Sequence, residues 1–315
     1  MYRLLRAAAF RLDPERAHRL ALRTARAAHP LGRLRRRRGD PVDVFGLTFP
    51  NRVGLAAGYD KDAAAWRSLA GLGFGHIEVG TVTPLPQPGN SGDRITRIPE
   101  RRALINRMGF PSQGAAAMAS RLGGRRNTIL GVSIGPNAAT PPEGRIADYL
   151  ALAGRFGPLA DYLAINVSSP NTARLRDLEQ GDALRGLLGE VVEHSKGTPM
   201  LVKLSPDLDD PAPVVAAIED SGAHGIILGN TTVTRPEGIP DLPGGLSGAP
   251  LGDLALRTLQ RVRRTTSLPL VACGGIMSAN DARRRVDAGA ELVQIYTGLV
   301  YTGPSLVGRM ARALA

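Results

Sequence analysis

Eight short apolar runs, separated by helical stretches, constrain the fold of this chain more than any other feature. They cover residues 51–58, 76–82, 128–135, 162–168, 199–205, 225–230, 269–275 and 292–298. Their hydrophobicity is nearly continuous and does not alternate, as in parallel strands buried on both faces. The stretches between them, among them 179–194, 210–220, 251–265 and 279–288, carry helical patterning. Eight such units over about 260 residues predict an α/β chain closed into a (β/α)8 TIM barrel. A doubly wound open sheet is the alternative. It fits less well, because the turn Gly54-Leu55-Ala56-Ala57-Gly58 lacks the GxGxxG spacing.

Active sites of such barrels lie at the C-terminal ends of the strands. The residues closing each run are therefore the site candidates. The fourth run ends in Asn166-Val167-Ser168-Ser169-Pro170-Asn171-Thr172. Thr81, Asn106, Asn230 and Thr231 stand at comparable places. Asparagine donates and accepts at once, which suits an imide or amide ring. Ser169 is the candidate proton acceptor. A bare serine is a weak base, so it needs relay through water or Thr172 and an acidified C–H. No histidine accompanies it, which disfavours a Ser-His-Asp hydrolase.

Lysine is rare: Lys61, Lys196 and Lys203 are the three among 40 basic residues. Lys61 follows the first run and Lys203 lies near the end of the fifth, so both are expected at the barrel mouth. Two roles stay open for Lys203: the Schiff-base lysine of a lyase or aldolase, or a cation that stabilises a reduced, anionic ring. Gly274-Gly275 and Tyr296-Thr297-Gly298 close the last two runs, where barrels bind phosphate. Two connections are long. Residues 84–109 contain the alternating segments RITRIP and RALINRM and predict an extra hairpin. Residues 231–250, rich in Gly and Pro, predict a lid or binding loop.

Cys273 is the one cysteine, which excludes an internal disulfide. Its apolar neighbours predict a packed side chain. The histidines (His18, His29, His76, His194, His224) show no metal-ligand spacing, so no metal is expected. No run approaches the roughly 20 apolar residues of a membrane span. The formal charge of +12 is concentrated in residues 1–40, which hold twelve Arg against Asp13, Glu15 and Asp40. Residues 1–30 predict two amphipathic helices. Asp13-Pro14-Glu15 starts the second, and Ala17, Leu20, Ala21, Thr24 and Ala28 form its apolar face. The pair either packs on the barrel or anchors at anionic headgroups. A nucleic-acid arm is not expected, since stacking aromatics are missing. Arg6 and Arg11 interrupt the first apolar run, against a signal peptide. Arg35–Arg38 is the one linker-like tract.

Seven motifs span the chain: LDPERAH, GLAAGYDKD, GTVTPLPQPGN, ALINRMGFPSQG, AINVSSPNTARLR, GGLSGAPL and ELVQIYTGLVYTGP. In these the chain resembles the class 2, quinone-dependent dihydroorotate dehydrogenases. The resemblance implies an FMN-binding barrel at residues 41–315 and a helical cap at residues 1–40 for membrane contact and quinone access. It implies oxidation of (S)-dihydroorotate to orotate in de novo pyrimidine biosynthesis, with hydride passing to FMN and electrons to a membrane quinone. A monomer, peripheral on the cytoplasmic side of the cell membrane, is implied as well. FMN contacts are implied at Ala57, Gly58, Tyr59, Asp60, Lys61, Thr81, Asn166, Lys203, Gly248, Gly275, Tyr296 and Thr297. Substrate contacts are implied at Lys61, Asn106, Arg107, Met108, Gly109, Phe110, Asn166, Asn171, Asn230 and Thr231. Ser169 would take the proton from ring carbon C5 while hydride leaves C6; class 1 relatives carry cysteine there. His18, Arg97 and Tyr296 match positions near the family's quinone tunnel. Two residues depart from the pattern: Ser133 replaces an asparagine and Gly229 a threonine. Each change removes one side-chain hydrogen bond to the cofactor, about 1 kcal/mol net.

Overall fold

The computed structural model describes residues 2–27, 39–124, 128–172, 174–179, 181–195 and 197–315. Ala28, His29, Arg35–Arg38 and Lys196 lie outside the described residues. The chain enters the barrel region through a hairpin, β1 (Val42–Val44) and β2 (Leu47–Phe49). Next come β3 (Val53–Leu55) and β4 (His76–Val82). An excursion, β5 (Ile95–Ile98) and β6 (Ala103–Asn106), precedes β7 (Ile129–Ile134), β8 (Tyr162–Asn166), β9 (Met200–Leu204) and β10 (Gly225–Leu228). A second excursion strand, β11 (Gly245–Gly248), is followed by β12 (Leu270–Cys273) and β13 (Leu292–Ile295).

All eight expected runs form strands, and they close into one parallel barrel in the order β3-β4-β7-β8-β9-β10-β12-β13. Closure rules out the open sheet. The runs read as continuous because alternate residues face two different apolar environments. Along β8, Leu163 and Ile165 pack outward among the helices, while Tyr162 and Ala164 point inward. Phe49, His76 and Tyr162 stack edge to face at the N-terminal end of the barrel. The β1–β2 hairpin, which the apolar runs did not announce, supplies Val44 and Phe49 to this plug. His76, buried between the two rings, is pushed down to about 4 by desolvation, so it is a neutral core residue.

The expected hairpin at 84–109 is present as β5 and β6, paired antiparallel from Ile95↔Asn106 to Ile98↔Ala103. β11, from the long 231–250 connection, adds to it through Gly245↔Asn106 and Gly248↔Ala103. The two long loops thus join as one small sheet above the barrel mouth. The helix Ala279–Asp287 shows how local sequence stops and starts elements here. Ser278 accepts from the Asp281 N–H at 3.1 Å, while the Asp281 carboxylate accepts from Ser278 Oγ and Met277 N–H.

The N-terminal segment forms α1 (Tyr2–Ala9) and α2 (Pro14–Ala27). Asp13 caps α2, its Oδ1 accepting from Arg16 N–H at 2.9 Å. The apolar face expected for α2 needs correction. Leu20, Ala21 and Thr24 are exposed; Glu15, His18, Leu22 and Ala25 turn inward with Ala17. Hydropathy alone misled because two polar residues are drawn in by partners. Arg94 holds Glu15 with two bonds, Nε–Oε1 at 2.8 Å and Nη2–Oε2 at 2.5 Å, and His18 packs edge-on against Tyr59 at 5.0 Å. No residue of either helix is fully buried. The cap is fastened by polar and aromatic clasps instead: Tyr2 Oη to Val300 carbonyl at 2.6 Å, Arg6 to Tyr301 carbonyl at 2.5 Å, and Arg97 over Phe10.

The bond from Arg94 holds the Glu15 carboxyl below its ordinary value, against a smaller opposing effect of burial. A depressed carboxylate stabilises above its unfolded value and loses that stabilisation as pH falls through the folded one. Glu15→Gln is therefore expected to weaken cap docking by about 1.5–3 kcal/mol at neutral pH. The check is hydrogen exchange: residues 14–27 should lose protection in the variant, and in the wild type at low pH, before the barrel strands do. Unchanged exchange in this segment would remove the pair as the clasp.

Candidate active site

The C-terminal ends of the barrel strands open into one cleft beneath the β5–β6–β11 sheet. It encloses about 1140 Å³ including its mouth. Ala57, Gly58 and Lys61 reach it from the loop after β3, and Thr81 from the end of β4. Asn106, Met108, Gly109 and Phe110 come from the excursion. Asn166, Ser169 and Asn171 follow β8; Lys203 stands on β9; Asn230 and Thr231 follow β10. Gly248, Gly275, Tyr296 and Thr297 complete the wall.

Three expected contact residues do not line the cleft. The Asp60 carboxylate is buried and caps the following turn, accepting from Ala64 and Ala65 N–H at 2.8 and 2.7 Å. The Arg107 guanidinium turns away to the carbonyls of Ser91 and Asp93, at 2.6 and 3.0 Å. Tyr59 lies one layer out, edge-on to Tyr296 at 5.4 Å. Ser133 stands behind the wall, its Oγ 2.9 Å from Thr81 Oγ1.

The amides form a polar lining of the cleft walls. Asn166 Nδ2 donates to Thr81 Oγ1 at 2.8 Å, and Asn230 Nδ2 donates to Ser168 Oγ at 2.9 Å. Asn171 Nδ2 donates to Asn106 Oδ1 at 3.2 Å. Each amide is thereby oriented before any ligand arrives. Ser169 is 5% exposed, and its Oγ accepts only from Asn171 N–H at 3.3 Å among the described residues. Two hydroxyls nearby, Thr172 Oγ1 and Thr231 Oγ1, are buried without a partner among the described residues. Buried polar atoms left this way are expected to meet water or ligand.

The two lysines differ sharply. Burial lowers the Lys203 ammonium, but the Glu78 carboxylate at 3.1 Å outweighs it and holds the group above its ordinary value. Glu78 is in turn bound by Tyr162 Oη at 3.1 Å and Gln294 Nε2 at 2.8 Å. A Schiff-base lysine must shed its proton near neutrality, so a fully paired, proton-retaining Lys203 is poorly suited to lyase chemistry. It is a fixed cation at the cleft floor. Lys61 is instead pushed down to about 8 by burial, and it donates to the Gly58 carbonyl at 2.6 Å. Cys273 is buried and its thiol is pushed up by desolvation, as fits a packed side chain.

Sequence reasoning missed Glu78 and Gln294. Each interrupts a strand buried on both faces, and a charge or amide there requires a partner. It also missed Ile95, Leu104 and Met277, which line the apolar side of the cleft.

At the cap, His18, Tyr59 and Tyr296 form a line of edge-on rings from α2 to the cleft wall. Burial and the nearby Lys61 charge push His18 down to about 4, so it is neutral at pH 7. Arg97 donates to the carbonyl of Leu12 at 2.8 Å, at the turn between the cap helices.

This cleft fits a flat phosphorylated cofactor. Its floor holds one cation, its walls carry oriented amides, and backbone is left bare where the last strands end. At Gly275 (φ +71) a Cβ would stand 2.3 Å from Gly252 Cα, so only glycine lets these two backbone segments meet at the cleft wall. A closed parallel barrel whose polar cleft lies at the C-terminal ends of its strands defines the class of (β/α)8 barrel enzymes. A family model described as dihydroorotate dehydrogenase matches residues 41–315, and the chain belongs to that family. The chain is 47% identical over 333 residues to the dihydroorotate dehydrogenase (quinone) of Anaeromyxobacter sp. (strain Fw109-5), covering 99% of this chain and 91% of the relative. It is 44% identical to the enzyme of the same name from Chromobacterium violaceum, covering 100% of this chain and 98% of the relative. Among solved structures, Eimeria tenella DHODH in complex with ferulenol superposes with a TM-score of 0.87 at 34% identity, covering 96% of this chain and 90% of that one.

Gly229, the departure from the family pattern, has a local cause. Its φ is +120°, and a Cβ there would lie 1.8 Å from the Cys273 carbonyl oxygen. The ends of β10 and β12 approach too closely for any side chain. Gly229→Ala is expected to cost more than about 2 kcal/mol, read as a lower urea midpoint of the holoenzyme. An unshifted midpoint would show that the two strand ends separate freely.

Proposed function

We infer that this chain oxidises dihydroorotate to orotate in pyrimidine biosynthesis and delivers the electrons to a quinone. The observation that carries the reading is convergence: Lys61, Asn106, Asn166, Ser169, Asn171, Lys203 and Asn230 come from five separate segments of the chain and meet in one cleft. The cofactor is FMN. Lys203, Thr81, Asn166 and the backbone at Ala57, Gly58 and Gly248 would hold its ring, and Gly275, Tyr296 and Thr297 its phosphate. When bound, FMN supplies the two-electron acceptor chemistry, taking hydride from the substrate and passing electrons to the quinone.

The chain's own residues do the rest. Asn106, Asn171, Asn230 and Thr231 present donors and acceptors to the substrate's ring amides, and Lys61 presents a cation to its carboxylate. Ser169 Oγ takes the proton from C5 as hydride leaves C6, and the buried, unpartnered Thr172 hydroxyl three residues on is the candidate relay among the described residues.

The cap serves the acceptor. Leu4, Leu5, Leu12 and Leu20 are 76%, 61%, 43% and 54% exposed, large apolar side chains turned outward on two Arg-rich helices and the turn between them. Among the described residues no helix is long and apolar enough to cross a membrane. The outward leucines beside arginines support a cap that rests on the cytoplasmic surface of the cell membrane. Quinone enters between α1 and α2, beside Arg97 and His18, toward Tyr296. Residues 1–40 act as this access unit and residues 41–315 as the catalytic barrel.

Two experiments test the reading. Purified protein carrying FMN should bleach on adding dihydroorotate without oxygen. Ser169→Ala should keep the yellow colour but slow that bleaching by about a hundredfold or more at neutral pH. Bleaching at an undiminished rate would remove Ser169 as the base. The second concerns pH. kcat/KM reports the free enzyme, and Lys61 loses its charge as pH rises through about 8. Accordingly kcat/KM for dihydroorotate should fall above about pH 8, with the loss carried by KM. A flat KM up to pH 10 would show that Lys61 does not bind the carboxylate as a cation.

A further inference from the structure

The loop that carries Ser169 is tied to its neighbours by one side chain. Arg176, on the short turn Leu175–Glu179, directs its three nitrogens at three partners. Nε donates to the Ser168 carbonyl at 3.1 Å, Nη1 to Asp207 Oδ2 at 3.0 Å, and Nη2 to the Thr231 carbonyl at 3.0 Å. Asp207 belongs to the loop after β9. Its carboxylate also accepts from Thr232 Oγ1 and, at 3.0 Å, from Val233 N–H. Asp207 N–H donates to Ser205 Oγ at 3.1 Å, and Ser205 N–H donates to Glu179 Oε1 at 2.6 Å, which returns to the Ser169 loop. The loops after β8, β9 and β10 are thus closed into one ring of hydrogen bonds.

The two carbonyls held by Arg176 have a particular place. One belongs to the residue just before Ser169, the other to Thr231, whose side chain lines the cleft. Fixing these carbonyls to one rigid guanidinium fixes Ser169 relative to the residues that hold the substrate ring. The pair is largely withdrawn from water, with Arg176 and Asp207 side chains 24% and 14% exposed. Neither lines the cleft. A planar fork with set donor directions can hold three acceptors at once; a lysine cannot.

We propose that Arg176 and Asp207 are positioning residues, a latch that sets the aim of Ser169 Oγ at the substrate C–H by locking the loops after β8, β9 and β10 together. The proposal rests on Ser169 being the proton acceptor. The latch acts on the rate of bond breaking at saturating substrate, because misplacing a reacting group by about 1 Å costs up to about a hundredfold. It does not act on flavin retention.

The test uses full-length holoenzyme and compares Arg176→Ala, Arg176→Lys, Asp207→Asn and Ser169→Ala by anaerobic flavin reduction with dihydroorotate. Arg176→Ala should reduce about ten- to a hundredfold more slowly at saturation, with half-saturation changed by no more than a few-fold. Added guanidinium should restore part of the rate in Arg176→Ala and none in Ser169→Ala. Combining Arg176→Ala with Asp207→Asn should be no slower than the slower single variant. Hydrogen exchange should rise in residues 168–179 and 230–233 and stay unchanged in the barrel strands. A normal rate in Arg176→Ala beside a slow Ser169→Ala overturns the latch and leaves the base intact. A normal rate in Ser169→Ala overturns the base, and the latch's aim with it. Loss of FMN from both Arg176 variants would make the residue a structural tie, which also overturns the proposal.

Discussion

A buried ion pair inside the barrel organises the site. Glu78 and Lys203 are 0% and 5% exposed in their side chains and lie 3.1 Å apart. Glu78 stands on β4 and Lys203 on β9, on opposite arcs of the ring, so the pair spans the barrel interior. Such a pair contributes little net stability against apolar residues of equal volume, yet removing one partner costs about 3–5 kcal/mol because a lone charge stays buried. The geometry is what it secures. Tyr162 and Gln294 take up the second carboxylate oxygen, so Glu78 cannot swing and Lys203 is held at the bottom of the cleft. Below this layer the interior is apolar and plugged by Phe49; above it the walls are amides. The pair marks the level at which the barrel changes from core to site.

The cleft's roof and the cap depend on that floor in different ways. The roof is a real sheet: β6 sits between β5 and β11, although β11 comes about 140 residues later. Its cost in loop closure grows only slowly with length, while its ladder hydrogen bonds and the buried cluster Ile98, Ala103, Ile105, Ile239 and Leu246 reward closure. The cap has no such core. Its attachment by guanidinium and hydroxyl clasps leaves Leu4, Leu5 and Leu20 outward. A cap held this way stays in register with the roof and joins α2 to the cleft wall through the ring line of His18, Tyr59 and Tyr296.

Much of this was legible in the sequence, for a physical reason. Strands buried on both faces must be apolar throughout, so the eight runs stand out and their ends locate the cleft. The hairpin at β5–β6 was legible from its alternation. β11 was not, because Gly245-Leu246-Ser247-Gly248 has too few side chains to show a period. The inner face of α2 was misread because Glu15 and His18 are polar, and only their partners, Arg94 just before β5 and Tyr59 after β3, make burial favourable. Among site residues, those ending strands were found. Asp60 and Arg107 were expected at the ligand surface, yet their side chains turn to backbone groups of their own loops. Arg176 and Asp207 left no signal, because two of the three Arg176 acceptors are backbone carbonyls brought near only by the fold.

The two lysines of the cleft show why residue type alone does not assign a role. Lys203 is buried and Lys61 half-buried, and withdrawal from water alone drives an ammonium toward neutrality. Lys203 sits against a buried carboxylate that reverses the effect, so its charge persists across the physiological range. Lys61 has no hydrogen-bonded carboxylate among the described residues; its bond goes to the neutral Gly58 carbonyl, and its charge responds near pH 8. A site that must hold a cofactor through every turnover benefits from a charge that does not titrate. A site that must take up and release an anionic substrate benefits from one that an arriving carboxylate itself strengthens. Opposite displacements of one residue type, in a single cleft, suit the two different roles proposed for them, Lys203 toward the cofactor and Lys61 toward the substrate.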